Sequence, residues 1–173
     1  MRKNPTPKQK LFLYTIDNFT DLVKNYAAQS YELSQKILKD ESLMENHNEE
    51  VENFKNKLQK FVNNYETTKD KDNKWSLVEI YNDVTEHYYE MPESKQTVNS
   101  TFILNLLKKY NARNTALEFY KQFLVFNTNF LKLFEETKAN LDKPTVEWFE
   151  KYKAVVDPEK QIDAFDGFWE LAD

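Results

Sequence analysis

From Phe12 onward the apolar residues recur at alternating steps of four and three. Phe12, Ile16, Phe19, Val23, Tyr26, Ser30, Leu33 and Ile37 form one such stripe, the mark of a helix with one buried face. The same frame runs on through Asp40, Met44, His47, Val51, Phe54, Leu58, Phe61 and Tyr65, with Asp40 and His47 where a buried seam needs apolar groups. Two readings fit. One is a single helix of nearly 60 residues, about 85 Å long at about 1.5 Å per residue. The other, which we prefer, is a hairpin or kink within the polar stretch 39–50.

Thr67 to Lys74 is charged and non-periodic and reads as a loop. A helix is expected next. Ser76 and Glu79 have capping-box spacing, and Trp75 and Ile80 have hydrophobic-staple spacing. Leu77, Ile80, Tyr81, Val84 and Tyr88 supply its buried face, and Met91-Pro92 ends it, because the residue before proline avoids the helical region.

A very long helix is predicted over about 94–141. Ile103, Leu106, Tyr110, Arg113, Leu117, Tyr120, Leu124, Asn127, Leu131, Phe134, Lys138 and Leu141 keep three-four spacing throughout. A second stripe, Ala116, Phe119, Phe123, Phe126, Phe130 and Leu133, lies beside it. Asp142-Lys143-Pro144 breaks the pattern, and a short helix follows with Val146, Phe149 and Tyr152 inward. Asp157-Pro158-Glu159 combines an N-cap, a proline at the first helical position and an acid in the first turn. Ile162, Phe165 and Trp169 mark the last apolar face. The expected fold is all-α, an elongated bundle of five or six helices. Its expected organisation is a flexible tail over 1–7 and a single helical domain over 8–173, with a helical hairpin as a subregion over 8–68.

Composition sharpens this reading. One glycine, Gly167, occurs in 173 residues, so the loops that cradle phosphates or present a nucleophile on a tight turn have no glycine to build them. There is no cysteine, which excludes disulfides and thiolate-held metals. Net charge is −5; nucleic acid is not an expected partner, since affinity there rests on neutralising phosphates. The charge is uneven: residues 135–173 hold 11 acidic and 5 basic groups, and residues 1–134 hold 18 and 19. No apolar run exceeds four residues, so no transmembrane segment is expected, and a cytoplasmic location is the default.

Candidate chemistry is sparse. The two histidines, His47 and His87, lack the Glu-x-x-His spacing of a di-metal bundle, having Met44 and Val84 three residues earlier. Asp83, His87 and Glu90 share helical spacing, which admits a surface metal site, although a solvated helix face is the plainer account. Lys108, Lys109 and Arg113 form a compact basic group. No catalytic, cofactor or metal residue is therefore assigned. The segment Phe119 to Phe134 stands out, with ten of sixteen positions Phe, Tyr, Leu or Val. Its two stripes are broader than one neighbouring helix covers. Phe119, Phe123, Phe126, Asn127 and Phe130 are accordingly the candidate partner-binding residues, with Asn127 the polar position that sets register or partner choice. The other account makes them the bundle's central helix.

The run Phe119-Tyr120-Lys121-Gln122-Phe123-Leu124-Val125-Phe126-Asn127-Thr128-Asn129-Phe130-Leu131-Lys132-Leu133-Phe134-Glu135-Glu136, with Trp148-Phe149 and Asp157-Pro158-Glu159 through Phe168-Trp169-Glu170, resembles phasins. It resembles more closely the non-catalytic helical subunit of two-component polyhydroxyalkanoate synthases. The resemblance implies a non-enzymatic accessory protein. Its partner would be a synthase catalytic subunit or a hydrophobic granule surface, met through the Phe stripe. Two other readings follow from the residues alone. One is a self-associating structural or regulatory bundle, a homo-oligomer built on the 12–65 frame. The other is a small ligand-binding or enzymatic bundle using Tyr and Trp polar groups near His87.

Overall fold

A computed structural model describes residues 4–68 and 74–172. Part of the expected tail, residues 1–3, and most of the expected 67–74 loop lie outside the described residues. All regular structure among the described residues is helical: α1 (Pro7–Thr15), α2 (Asp21–Leu38), α3 (Glu41–Met44), α4 (Glu49–Thr68), α5 (Trp75–Tyr89), α6 (Val98–Lys109), α7 (Ala112–Thr137), α8 (Lys143–Lys153) and α9 (Pro158–Trp169). The all-α expectation holds. The number of helices exceeds the five or six expected. No helix among the described residues is long and apolar enough to cross a membrane.

Helix starts follow local chemistry. Thr6 and Gln9 form a reciprocal capping box ahead of Pro7, which needs no N–H at the first position. Thr97 and Ser100 do the same for α6. Asp157 accepts from the amides of Glu159 (2.9 Å) and Lys160 (3.2 Å), as its position before Pro158 predicts. The expected Ser76 cap is not formed. Helix α5 begins two residues earlier than a Ser76 cap would place it, at Trp75, with Lys74 in the N-cap position. Ile80, expected inward, is on the exposed side.

The chain leaves its helix between α2 and α4, as the hairpin reading prefers, and Tyr31 of α2 stacks on Tyr65 of α4 with ring centroids 4.3 Å apart. Asp40, the apparent defect in the hydrophobic frame, is the N-cap of α3 and is buried.

The expected 94–141 helix is divided. Helix α6 stops at Lys109, Asn111 takes a left-handed conformation (φ 54°), and α7 starts at Ala112. Asparagine tolerates that region better than other side chains that carry a Cβ. The hydrophobic frame passes through the break without a phase change, which is why spacing alone did not reveal it. Beyond Thr137 the chain tightens into a 3-10 turn, Lys138–Asn140.

The described residues fall into two compact units, one drawn from 1–21 and 120–173, the other from 22–119. In the second unit α4, α5 and α6 pack on one another around Phe54, Leu58, Phe61, Tyr81, Ile103 and Leu107. Phe54 meets Tyr88 edge-on at 5.5 Å, and Phe61 meets Tyr81 at 5.3 Å, so α4 and α5 run antiparallel. In the first unit α1 and the turn after it run antiparallel to α9, Phe12 stacking on Phe168 (4.3 Å) and Phe19 on Phe165 (4.6 Å). Between α1 and α2 lies a π-helical turn, Ile16–Thr20. The wider turn displaces the buried face: Leu11, Thr15 and Phe19 are inward, whereas Ile16, expected in the seam, is 45% exposed.

Gly167 lies in α9 against the Trp148 indole. A Cβ added there would sit 3.5 Å from Trp148 Nε1, an ordinary contact, and φ is not positive. Gly167→Ala therefore removes the backbone entropy cost of glycine without a clash. It should raise stability by about 0.5–1 kcal/mol, read as a higher midpoint in chemical denaturation.

Candidate functional site

The five candidate residues lie along α7, and all are buried. Phe119 belongs to the 22–119 unit, where it stacks on Tyr26 (4.7 Å) and Trp75 (5.7 Å). The other four belong to the 1–21 and 120–173 unit. Phe123 and Phe126 meet Phe19 at 6.3 and 5.6 Å. Phe130 is the centre of the aromatic packing. It contacts Phe134, Trp148, Tyr152, Phe165 and Phe168 at 5.2–6.1 Å, each near-perpendicular. Those edge-to-face contacts place ring hydrogens against neighbouring π-faces, the favourable quadrupole arrangement. The Phe stripe in this unit is thus buried, with the chain's own rings against it.

Asn127 sits within this apolar packing, and its Oδ1 accepts the Tyr152 hydroxyl proton. The pair satisfies two groups that would each be costly to bury alone. Burial also raises the Tyr152 phenol well above its ordinary range, so it stays a neutral donor. Asn127 therefore fixes α8 against α7 within the unit.

The two stripes predicted on α7 exchange roles in its first half. Ala116, Phe119 and Phe123 are inward, whereas Leu117 and Leu124 of the first stripe are 59% and 52% exposed. Val125 beside Leu124 is exposed as well. Leu13 is exposed on α1, although the neighbouring Tyr14 ring stacks on Phe126 at 6.0 Å.

The polar centre that sequence reasoning missed is Asp40. Lys109 Nζ and the Tyr110 hydroxyl each donate to its Oδ2 at 2.7 Å. The Ser42 hydroxyl and the amides of Ser42 (3.0 Å) and Leu43 (3.3 Å) donate to Oδ1. The Lys109 hydrogen bond first, then those from Ser42 and Tyr110, hold the carboxyl well below the usual carboxylate range despite its burial. The group is anionic at neutral pH and serves as an anchor rather than a proton carrier. The available signal was an acid three residues ahead of Leu43 at the end of a helical frame, a cap pattern. The basic group Lys108, Lys109 and Arg113 is correspondingly divided: Lys109 is bound to Asp40, and Arg113 lies over the Tyr89 ring (5.1 Å) near Glu86 (3.7 Å).

His87 packs edge-on against Tyr88 at 5.0 Å, and His47 Nδ1 lies 3.2 Å from Glu52. Among the described residues no three His, Cys, Asp or Glu side chains are gathered as a metal would require. The Tyr81 hydroxyl is buried with no hydrogen-bond partner among the described residues. Burial raises its pKa, which keeps it a neutral phenol. Comparison with known protein families, curated proteins and solved structures finds no match.

Two expectations follow. Tyr152→Phe leaves the Asn127 amide oxygen buried without a donor and should cost about 1–3 kcal/mol in denaturant unfolding. Tyr152→Phe combined with Asn127→Leu should recover part of that loss. Asp40 has a folded pKa below its unfolded value of about 3.9, so its stabilisation is present above that pH and lost as pH falls below it. Asp40→Asn should therefore be less stable than wild type at neutral pH, with the gap narrowing as pH drops below about 4. Paired denaturation curves across that range test it.

Proposed function

We propose that the chain is a helical protein-interaction subunit that has no chemistry of its own and docks through the outer face of α7. The observation that carries this reading is the exposure of Leu124 and Val125 on the helix whose opposite face is closed by aromatic packing. An apolar pair left in water on a helix this well packed is a natural contact point for a partner. The narrower version is an accessory subunit of a polyhydroxyalkanoate synthase or a phasin-like granule coat. The aromatic order of residues 119–170 supports it. Because Phe119, Phe123, Phe126 and Phe130 are engaged internally, this version now rests on Leu117, Leu124 and Val125 rather than on the Phe stripe.

The test is co-sedimentation with native polyester granules, alongside affinity capture of a purified synthase catalytic subunit. Leu124→Ser with Val125→Ser should keep native helicity and lose binding at least tenfold. Phe123→Ser with Phe130→Ser should instead unfold the protein, since deleting a buried phenyl ring costs about 3–5 kcal/mol. Wild-type protein that binds neither granules nor synthase removes the polyester version. Undiminished binding by the Leu124, Val125 variant removes the α7 surface.

A further inference from the structure

The junction between α6 and α7 interrupts a helical frame that the sequence carries through it. The residues there, Lys108-Lys109-Tyr110-Asn111-Ala112-Arg113, contain no glycine or proline. The hydrophobic frame Ile103, Leu106, Tyr110, Arg113, Leu117 and Tyr120 crosses the junction in step. A continuous helix is thus what the chain encodes locally. The break consists of one left-handed residue, Asn111 at φ 54°. Contacts made just beyond it hold the closed form: Arg113 Nη2 lies 3.7 Å from Glu86 Oε2, and Ala112 is buried. A short hinge of this kind, with one left-handed residue in the closed form and none when straight, is the arrangement that favours exchange of identical elements between copies.

We infer that the α6–α7 junction is a hinge for reciprocal exchange with a second copy of this chain, in which α6 and α7 fuse into one helix and everything after Asn111 packs on the partner copy. The fused helix would run over residues 98–137, about 60 Å at 1.5 Å per residue. The partner is a second copy because only an identical chain can rebuild the contacts that opening breaks. Phe119 leaves its own Tyr26 and Trp75 and meets those of the other copy. Phe123 and Phe165 leave Phe19 and regain it in the same way. No apolar surface is lost between closed monomer and exchanged dimer, and the left-handed residue is relieved twice.

Substitutions at Asn111 move the two states in opposite directions. Asn111→Ala favours the straight helix, and Asn111→Gly favours the left-handed turn. The dimer fraction at equal chain concentration should differ between them by about tenfold or more, read by light scattering after size separation. Exchange is distinguished from side-by-side pairing by introducing Glu86→Cys and Arg113→Cys into the cysteine-free chain and joining them with a flexible bis-maleimide. These positions face each other across the junction (3.7 Å between Arg113 Nη2 and Glu86 Oε2). In the closed monomer the link is intramolecular; in an exchanged dimer it joins two chains. A native-helicity Asn111→Ala protein at monomer mass overturns the inference, as does a dimer whose link stays intramolecular. If Asn111→Ala does not fold, the doubly cysteine-bearing chain with Asn111 retained is unfolded and refolded over a concentration series. Interchain links that rise with concentration support exchange, and a partition independent of concentration overturns it.

Discussion

With a single glycine in the chain, every change of direction has to be made by a residue that carries a side chain, and the fold depends on how those ends are satisfied. Each α-helix leaves backbone donors and acceptors unpaired at its ends. Here Thr6, Asp40, Thr97 and Asp157 supply side-chain oxygens to the helix starts, while Asn111 takes the left-handed position that glycine more commonly fills. Asp40 has a double role. It caps α3 and also draws in the end of α6 through Lys109 and Tyr110. One carboxylate therefore links the start of α3 to the end of α6 within the 22–119 unit, and its charge is stabilised by the same donors it organises.

Between those ends, stability comes from aromatic burial. In the unit that contains α8 and α9, Phe130 has neighbours on several sides and meets them edge-on. Phe134 stacks flat on Phe149 at 3.9 Å. Rings have few rotatable bonds, so they bury large areas at low entropy cost. Asn127 and Tyr152 introduce one polar pair into this packing. Because each satisfies the other, the pair specifies how α7 meets α8 at little energetic cost.

The functional reading follows from what this packing leaves over. A wide apolar face on a helix is either core or interface, and the rings of α1, α8 and α9 decide for core along Phe123, Phe126 and Phe130. What remains outward on α7 is smaller and aliphatic. A docking role for Leu124 and Val125 differs chemically from one for a phenylalanine stripe: it offers modest area, and so suits a reversible contact more than a permanent one. The exchange proposed at Asn111 bears on association in another way, because it concerns which chain the helix packs on and not which of its faces is exposed.

Much of the architecture was legible from local signals. The all-helical class, the break within 39–50, the end of α5 ahead of Met91-Pro92 and the start of α9 at Asp157-Pro158 each depend on residues within a turn of the feature, so the sequence by itself determined them. The π-helical turn at Ile16–Thr20, the left-handed Asn111 and the choice of inward stripe on α7 were not legible. The end of α6 and the inward stripe of α7 involve groups remote in sequence. Asp40 lies 69 residues from Lys109, and the rings that cover Phe130 come from α8 and α9. Periodicity reports that a face is apolar, since that is a property of one helix. Which of two adjacent apolar faces goes inward, and where a helix yields to a distant carboxylate, are decided only when the other helices arrive, because burial and hydrogen bonding are properties of the packed chain.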